Sequence, residues 1–290
     1  MEKNTKKGFS LIGFLSNMNL KVFTIILLLA MFLPMFRPIL LPMYISPTTK
    51  TFNDFIISNK GGVAMWHAEA YAFGATAGLH AEIVAVMETL FLNQIKVIIE
   101  PVGAGSNAIT PQFYLYVVQH YGLDKKYGYI YGTDYVVMPW LGQSEGAIAS
   151  GTQFSNYPTD YLGTPINDIP LLQGKKTLAD VDFVVVEYGI CGTADQAIRQ
   201  YYTQYGTPML ACQINCFSPT LAYVGKGYVS VIEGTQGAAE IETLNGIPGL
   251  GISYMAPASV LMVVFFLLLL ISNIAFWGNR ALGKKEEMKK

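Results

Sequence analysis

One uncharged stretch near the carboxyl terminus, residues 256–277, constrains this chain more than any other feature. A helix needs roughly 20 apolar residues to cross the hydrocarbon core of a bilayer, and this stretch supplies them. Trp277 closes the stretch and several basic residues follow it, which is typical of the cytoplasmic end of a membrane helix. The sequence therefore predicts a transmembrane helix over residues 256–278 and a basic cytoplasmic tail over residues 279–290.

A second apolar run lies near the amino terminus, after a basic and amphipathic segment that we assign to residues 1–20. The run is interrupted by Pro34 and carries one charge, Arg37, towards its end. A cleaved signal peptide begins in the same way, but no Ala-x-Ala-like cleavage site follows here. We therefore predict a first, uncleaved transmembrane helix over residues 21–44.

The charges of the chain are divided unevenly between its middle and its ends. Residues 44–255 hold 17 Asp and Glu against 9 Lys and Arg, which leaves them near −8, whereas both ends are basic. Because cytoplasmic loops carry an excess of Lys and Arg, this asymmetry predicts a two-pass protein of the cytoplasmic membrane with both termini in the cytoplasm. Residues 45–255 are then an extracytoplasmic domain tethered to the lipid bilayer. Their acidic balance argues against nucleic-acid binding, which needs a basic face.

The middle of the chain alternates between short apolar runs and helical patterns. The runs predict strands at residues 62–67, 95–100, 135–139, 182–187 and 208–213. Helical patterns follow them at residues 77–92, 110–120, 143–149, 193–205 and 228–244. Such alternation predicts an α/β fold with a mostly parallel, Rossmann-like or flavodoxin-like sheet. Residues 151–179, which are rich in Gly, Pro, Thr and Asp, predict a long loop.

Ligands of such sheets bind beyond the carboxyl ends of the strands, so polar residues at those ends are candidates for a ligand pocket. The candidates are Glu100, Gly103, Gly105, Ser106, Glu187, Tyr188 and Gln213. Residues 103–108 fit the Gly-x-Gly-x-x-Ala pattern of dinucleotide sites. However, Thr110 and Pro111 begin the helix after the motif rather than inside it. We therefore favour a flexible loop at this position and predict no cofactor.

Three residues at strand ends are candidates for catalysis. His67 and Glu69 are two residues apart, and alternate residues of a strand point to the same face of a sheet. Cys191 lies between glycines near a predicted helix start, where a thiol pKa is lowered. A hydrogen-bonded histidine at a strand end is the structural alternative. The chain has only three histidines and no zinc-binding spacing, so we predict no metal site.

The chain contains three cysteines, of which Cys212 and Cys216 are close enough in sequence to form a disulfide. An extracytoplasmic domain would permit such a bridge. The alternative is that the cysteines are buried free thiols, which pack like small apolar residues.

Tyrosines are concentrated after the second predicted strand, among them Tyr127, Tyr129 and Tyr131. Tyrosine suits protein interfaces because its ring is apolar and its hydroxyl is polar, although tyrosine in a core is the ordinary alternative. Glu240 and Glu242 lie close before the second membrane segment, where they could contact neighbouring subunits. These five residues are the candidates for an interface.

The sequence leaves three functions open. The leading hypothesis is a non-enzymatic, membrane-anchored assembly subunit that binds copies of itself or other subunits of a membrane complex. The second is a membrane-tethered domain that binds or senses a small molecule at the strand ends. The third is a hydrolase or redox enzyme that uses His67, Glu69 or Cys191.

Overall fold

A computed structural model describes most of the chain and divides it into two units. The described residues are 20–36, 42–68, 76–102, 109–142, 144–189, 192–214 and 217–287. One unit is an α/β domain of residues 43–252, and the other consists of the described parts of residues 1–42 and 253–290.

The described part of the domain is built on a six-stranded sheet in which all neighbouring strands are parallel. The strands are β1 (Val63–Ala68), β2 (Lys96–Pro101), β3 (Tyr135–Val137), β4 (Phe183–Tyr188), β5 (Met209–Gln213) and β6 (Tyr228–Glu233). Their order across the sheet is β3-β2-β1-β4-β5-β6. The strand order therefore reverses between β1 and β4, which is the switch point where doubly wound sheets bind ligands. This confirms the predicted α/β class with a parallel sheet.

Helices connect the strands and cover both faces of the sheet. They are α1 (Leu20–Phe36), α2 (Pro47–Ser58), α3 (Thr76–Leu92), α4 (Ile109–His120), α5 (Leu123–Tyr127), α6 (Glu145–Gly151), α7 (Thr193–Ala197), α8 (Thr203–Tyr205), α9 (Phe217–Leu221), α10 (Gly234–Asn245) and α11 (Leu250–Glu287). A π-helical turn, Ile198–Tyr202, joins α7 to α8. The sequence did not predict α2, although Ser46 at its N-cap and Pro47 in its first turn are common start signals.

Two apolar cores lie on opposite faces of the sheet. One core packs the sheet against α2, α3, α4 and α10. The other packs it against α6, α7 and the long connection between α6 and β4. This connection contains four short 3₁₀ turns and buries Phe154 and Tyr157, so it is an ordered part of the second core.

The prediction of one helix over residues 228–244 was wrong in its first part. Tyr228–Glu233 is the edge strand β6, and the helix α10 begins only at Gly234. The reason is visible in the residues: Val229, Val231 and Ile232 are β-branched and pack well on a sheet. Gly234, at φ 50°, makes the sharp change from strand to helix.

Among the described residues, one segment, Leu250–Gly278, is long and apolar enough to cross a membrane, by length and composition. The apolar part of α1, Lys21–Pro34, is shorter. Residues 37–41 of the predicted first membrane helix lie outside the described part of the chain. The two-pass arrangement therefore stays a prediction.

Candidate functional site

The carboxyl edge of the sheet carries polar side chains on its central strands, although these strands are buried. His67 and Glu100 are neighbours in the register of β1 and β2. Glu187 lies beside Ala68 of β1 and Cys212 of β5. The side chains of His67 and Glu100 point to one face of the sheet and that of Glu187 points to the other, because successive strand residues alternate. Two clusters of polar side chains, one on each face of the sheet, therefore lie next to the switch point.

The first group, which we call the tyrosine cluster, consists of His67, Glu100, Tyr157 and Tyr201. Tyr157 Oη donates to Glu100 Oε1 over 3.1 Å, and Tyr201 Oη donates to Glu100 Oε2 over 3.4 Å. His67 Nδ1 lies 2.5 Å from Tyr201 Oη. With Tyr201 donating to Glu100, we assign the imidazole proton to Nδ1, which leaves Nε2 as an acceptor.

Burial changes the protonation of this cluster. It raises the pKa of the Glu100 carboxyl to about 8, although the two tyrosine hydroxyls lower it. It lowers the pKa of His67 to about 3. Both shifts have the sign expected when a charged form loses its hydration. The cluster therefore holds a neutral imidazole next to a carboxyl that is largely protonated at neutral pH.

The end of α6 is shaped around the Glu100 carboxyl. A Cβ atom added to Gly151 would lie 1.2 Å from Glu100 Oε1. Only a residue without a side chain permits this approach, so Gly151 leaves the space that the carboxyl occupies beneath α6.

The second group, which we call the tryptophan cluster, consists of Trp66, Tyr114, Glu187 and Glu82. Trp66 Nε1 lies 3.1 Å from both Tyr114 Oη and Glu187 Oε2. Glu82 reaches the edge from α3, where its Oε1 accepts from the backbone N–H of Gln213 over 3.3 Å. Burial raises the pKa of Glu82 well above its ordinary value and the charge of Glu187 raises it further, while the N–H groups of Gln213 and Gly234 lower it.

Three buried polar atoms at this edge have no hydrogen-bond partner within the described part of the chain: His67 Nε2, Glu82 Oε2 and Gln213 Nε2. The side chains that bear them are fully buried. Native proteins leave few buried polar atoms unpaired, and such atoms commonly bind an ordered water, an ion or a ligand.

The structure places four of the predicted pocket residues, Glu100, Glu187, Tyr188 and Gln213, at the carboxyl ends of their strands. Gly103, Gly105 and Ser106 lie outside the described residues, as do the catalytic candidates Glu69 and Cys191. Tyr188 and Gln213 are joined through Thr220, whose hydroxyl lies 2.5 Å from Tyr188 Oη and donates to Gln213 Oε1 over 2.7 Å.

Sequence reasoning missed Trp66, Glu82, Tyr114, Tyr157 and Tyr201. Glu82 had a readable signal, because it is one of only two acidic residues within an otherwise apolar helical pattern. Tyr157 and Tyr201 come from the connections on either side of β4, and nothing in their local sequence places them beside Glu100.

Cys212 is buried in β5, and burial raises the pKa of its thiol. Cys216 lies outside the described residues, so the disulfide stays a prediction. No group of three or more His, Cys, Asp and Glu that could hold a metal ion occurs among the residues described.

The interface candidates have partners inside the domain. Tyr129 stacks on Phe91 at a centroid distance of 3.9 Å and donates to Ile95 O. Tyr127 donates to Glu88, and Tyr131 packs against the core.

Glu240 and Glu242 are only 1% and 3% exposed. Glu240 accepts from Ser46 and Gln236, and Glu242 accepts from backbone N–H groups at the start of α11. These contacts give the interface hypothesis no support.

A scan against protein-family models finds no match to this chain, and a search of curated proteins finds no similar sequence. The class of this protein therefore follows from its fold and from the polar carboxyl edge of its sheet alone. It is a doubly wound α/β domain, in a chain with one helix long and apolar enough to cross a membrane.

Proposed function

We propose that this protein is a membrane-tethered domain that binds a small molecule at the carboxyl ends of β1 and β4. The observation that carries this proposal is the pair of buried polar clusters on either side of the switch point. They include buried atoms that lack a hydrogen-bond partner in the described part of the chain.

The energetics support binding over a purely structural role. Burying a polar group without a hydrogen bond costs about 1 to 3 kcal/mol in proteins. Carboxyl groups with strongly shifted pKa values are concentrated at functional sites. Glu82 and Glu100 both have raised pKa values, and both lie at the edge where doubly wound sheets bind ligands.

A thermal-shift screen of the full-length chain in detergent against a library of small metabolites tests the proposal. A ligand that binds only the folded state raises the melting temperature in a concentration-dependent way. We expect at least one compound to do so, and its effect to fall by half or more in Glu187→Gln.

The matched control is Glu240→Gln, which changes another buried carboxyl that lies within α10 rather than at a strand end. It should retain the full ligand-induced shift. Equal shifts in wild type, Glu187→Gln and Glu240→Gln would place any binding elsewhere and refute the proposed site.

The membrane attachment is part of the proposal. Leu250–Gly278 supports one membrane crossing. The basic ends and acidic middle support a second crossing near the amino terminus, with both termini in the cytoplasm and the domain outside.

Assembly with other copies or with other membrane subunits ranks second, because the tyrosines that suggested it make contacts within the domain. An enzymatic role ranks third. His67 is buried as a neutral imidazole hydrogen-bonded to Tyr201, which matches the structural alternative for this residue.

A further inference from the structure

The segments that follow the strands of the sheet contain no positively charged residue. The segments that join a strand to the next helix are residues 69–75, 102–108, 138–144, 189–192 and 214–216, and none of them contains Lys or Arg. Arg199, in the π-helical turn after α7, is already paired with Glu145 at 2.8 Å. Phosphate and carboxylate ligands are recognised mainly by Arg, Lys and helix N-termini. An anionic ligand would thus meet no basic side chain from these segments.

The tryptophan cluster offers the opposite chemistry. Glu82 and Glu187 are both fully buried and influence each other electrostatically. Glu82 Oε2 accepts no hydrogen bond within the described part of the chain. Once the carboxyl has lost its proton, this oxygen can accept a hydrogen bond from a ligand donor.

One aromatic ring contacts the Glu187 carboxyl group, and a second ring packs against the first. The rings of Trp66 and Tyr114 have centroids 5.9 Å apart, and Trp66 contacts Glu187 directly. Aromatic faces together with carboxyl groups are the chemistry that proteins use to recognise organic ammonium groups. A metal ion has less support, because the described residues bring no three His, Cys, Asp or Glu side chains together.

We infer that the ligand of the proposed site carries an organic ammonium group, which lies against Glu82 and Glu187 at the carboxyl end of β4. This inference rests on the proposed function and specifies the class of its ligand. The bound cation supplies a hydrogen-bond donor to Glu82 Oε2, which has no partner within the described part of the chain, and a counter-charge to the two carboxylates. An uncharged Glu82 releases its proton to solvent when the cation binds.

Three probes of similar length test the inference by thermal shift on the full-length chain in detergent: 1,4-diaminobutane, 1,4-butanediol and succinate. We expect diaminobutane at millimolar concentration to raise the melting temperature by a few degrees, and the diol and the dicarboxylate to have no effect. Glu82→Gln keeps the shape of the side chain but cannot release a proton and become charged when the cation binds. In this variant the shift should fall by half or more, and in Glu240→Gln it should be unchanged.

The outcomes separate this inference from the proposed function. If succinate or butanediol raised the melting temperature of wild type but not of Glu187→Gln, the proposed binding site would be supported. The inference that its ligand carries an ammonium group would be overturned. A diaminobutane shift that is equal in wild type, Glu82→Gln and Glu187→Gln would show non-specific binding and overturn it as well. No shift with diaminobutane also overturns the inference, while the metabolite screen independently decides the proposed function.

Discussion

The Glu100 carboxyl makes the stability of the domain depend on pH. Its pKa in the folded domain is about 8 because of burial, whereas its ordinary value is 4.5. The folded state therefore holds a proton that the unfolded chain releases between these values. The resulting stability is fully present below the unfolded pKa and is lost as pH rises towards 8.

We expect Glu100→Gln to remove this dependence. Relative to wild type, the variant should gain stability between pH 5 and pH 8, by up to about 4 kcal/mol. Chemical denaturation of both proteins at the two pH values measures the difference. If the stability of wild type and of Glu100→Gln changed equally with pH, Glu100 would not be buried as an uncharged carboxyl. His67 acts in the opposite direction. Because its pKa in the folded domain is only about 3, the domain loses stability as pH falls below 6.5, where the imidazole of the unfolded chain takes up a proton. The comparison with wild type isolates Glu100.

Gly151 offers a second test of the same cluster. Glycine to alanine in a helix is usually stabilising, by up to about 1 kcal/mol. In Gly151→Ala the new Cβ would overlap Glu100 Oε1, so we expect a loss of about 1 to 3 kcal/mol instead. Gly146→Ala in the same helix is the control, because its Cβ would meet only Ser144 Oγ at an ordinary 3.5 Å. If both variants had equal stability in thermal unfolding, Glu100 would not pack against α6.

Among the individual residues of the candidate site, the sequence predicted only some. Glu100, Glu187 and Gln213 could be named because each ends an apolar run, and the carboxyl ends of parallel strands share one edge. Their partners could not be named, because Tyr157 and Tyr201 reach Glu100 from sequence positions far away from it. Such contacts depend on the packing of a whole layer.

Among the elements, α11 begins in an unusual way, because a side chain from another helix caps it. Glu242 of α10 accepts from the backbone N–H groups of Gly249, Gly251 and Ile252 over 2.8 to 2.9 Å. The first N–H groups of a helix have no partner within the helix itself. Glu242 satisfies them and joins the last helix within the domain to the start of the apolar helix.

We expect Glu242→Gln to weaken this cap, since an amide has one acceptor oxygen where the carboxylate has two. Amide hydrogen exchange at Gly251 and Ile252 should accelerate roughly tenfold, which corresponds to about 1.4 kcal/mol. The control is Glu233→Gln, at an exposed position before the same helix α10. Unchanged exchange at both amides would show that the first turn of α11 does not depend on Glu242.

The elements were predicted well where apolar residues form one uninterrupted run, as in β4. The prediction was wrong at β6 because Tyr228–Glu233 runs directly into α10, without a loop to mark the boundary. The β-branched residues Val229, Val231 and Ile232 favour a strand here, and the pairing of β6 with β5 decides it.

For the whole molecule, the proposed topology can be tested by labelling. In a variant with Cys191, Cys212 and Cys216 replaced by Ala, single cysteines are introduced as Lys176→Cys in the domain and Lys285→Cys in the tail. In intact cells, a membrane-impermeant maleimide should label the first and not the second. Labelling of the tail but not of the domain would show that the protein has the opposite orientation in the membrane.

Native mass spectrometry of the protein extracted gently from its own membrane tests the central claim most directly. We expect the chain to carry a small bound mass, and the occupancy of that mass to fall in Glu187→Gln but not in Glu240→Gln. A chain without any small bound mass, found only in an oligomer or in a complex with other subunits, would contradict the binding site and favour assembly as its function.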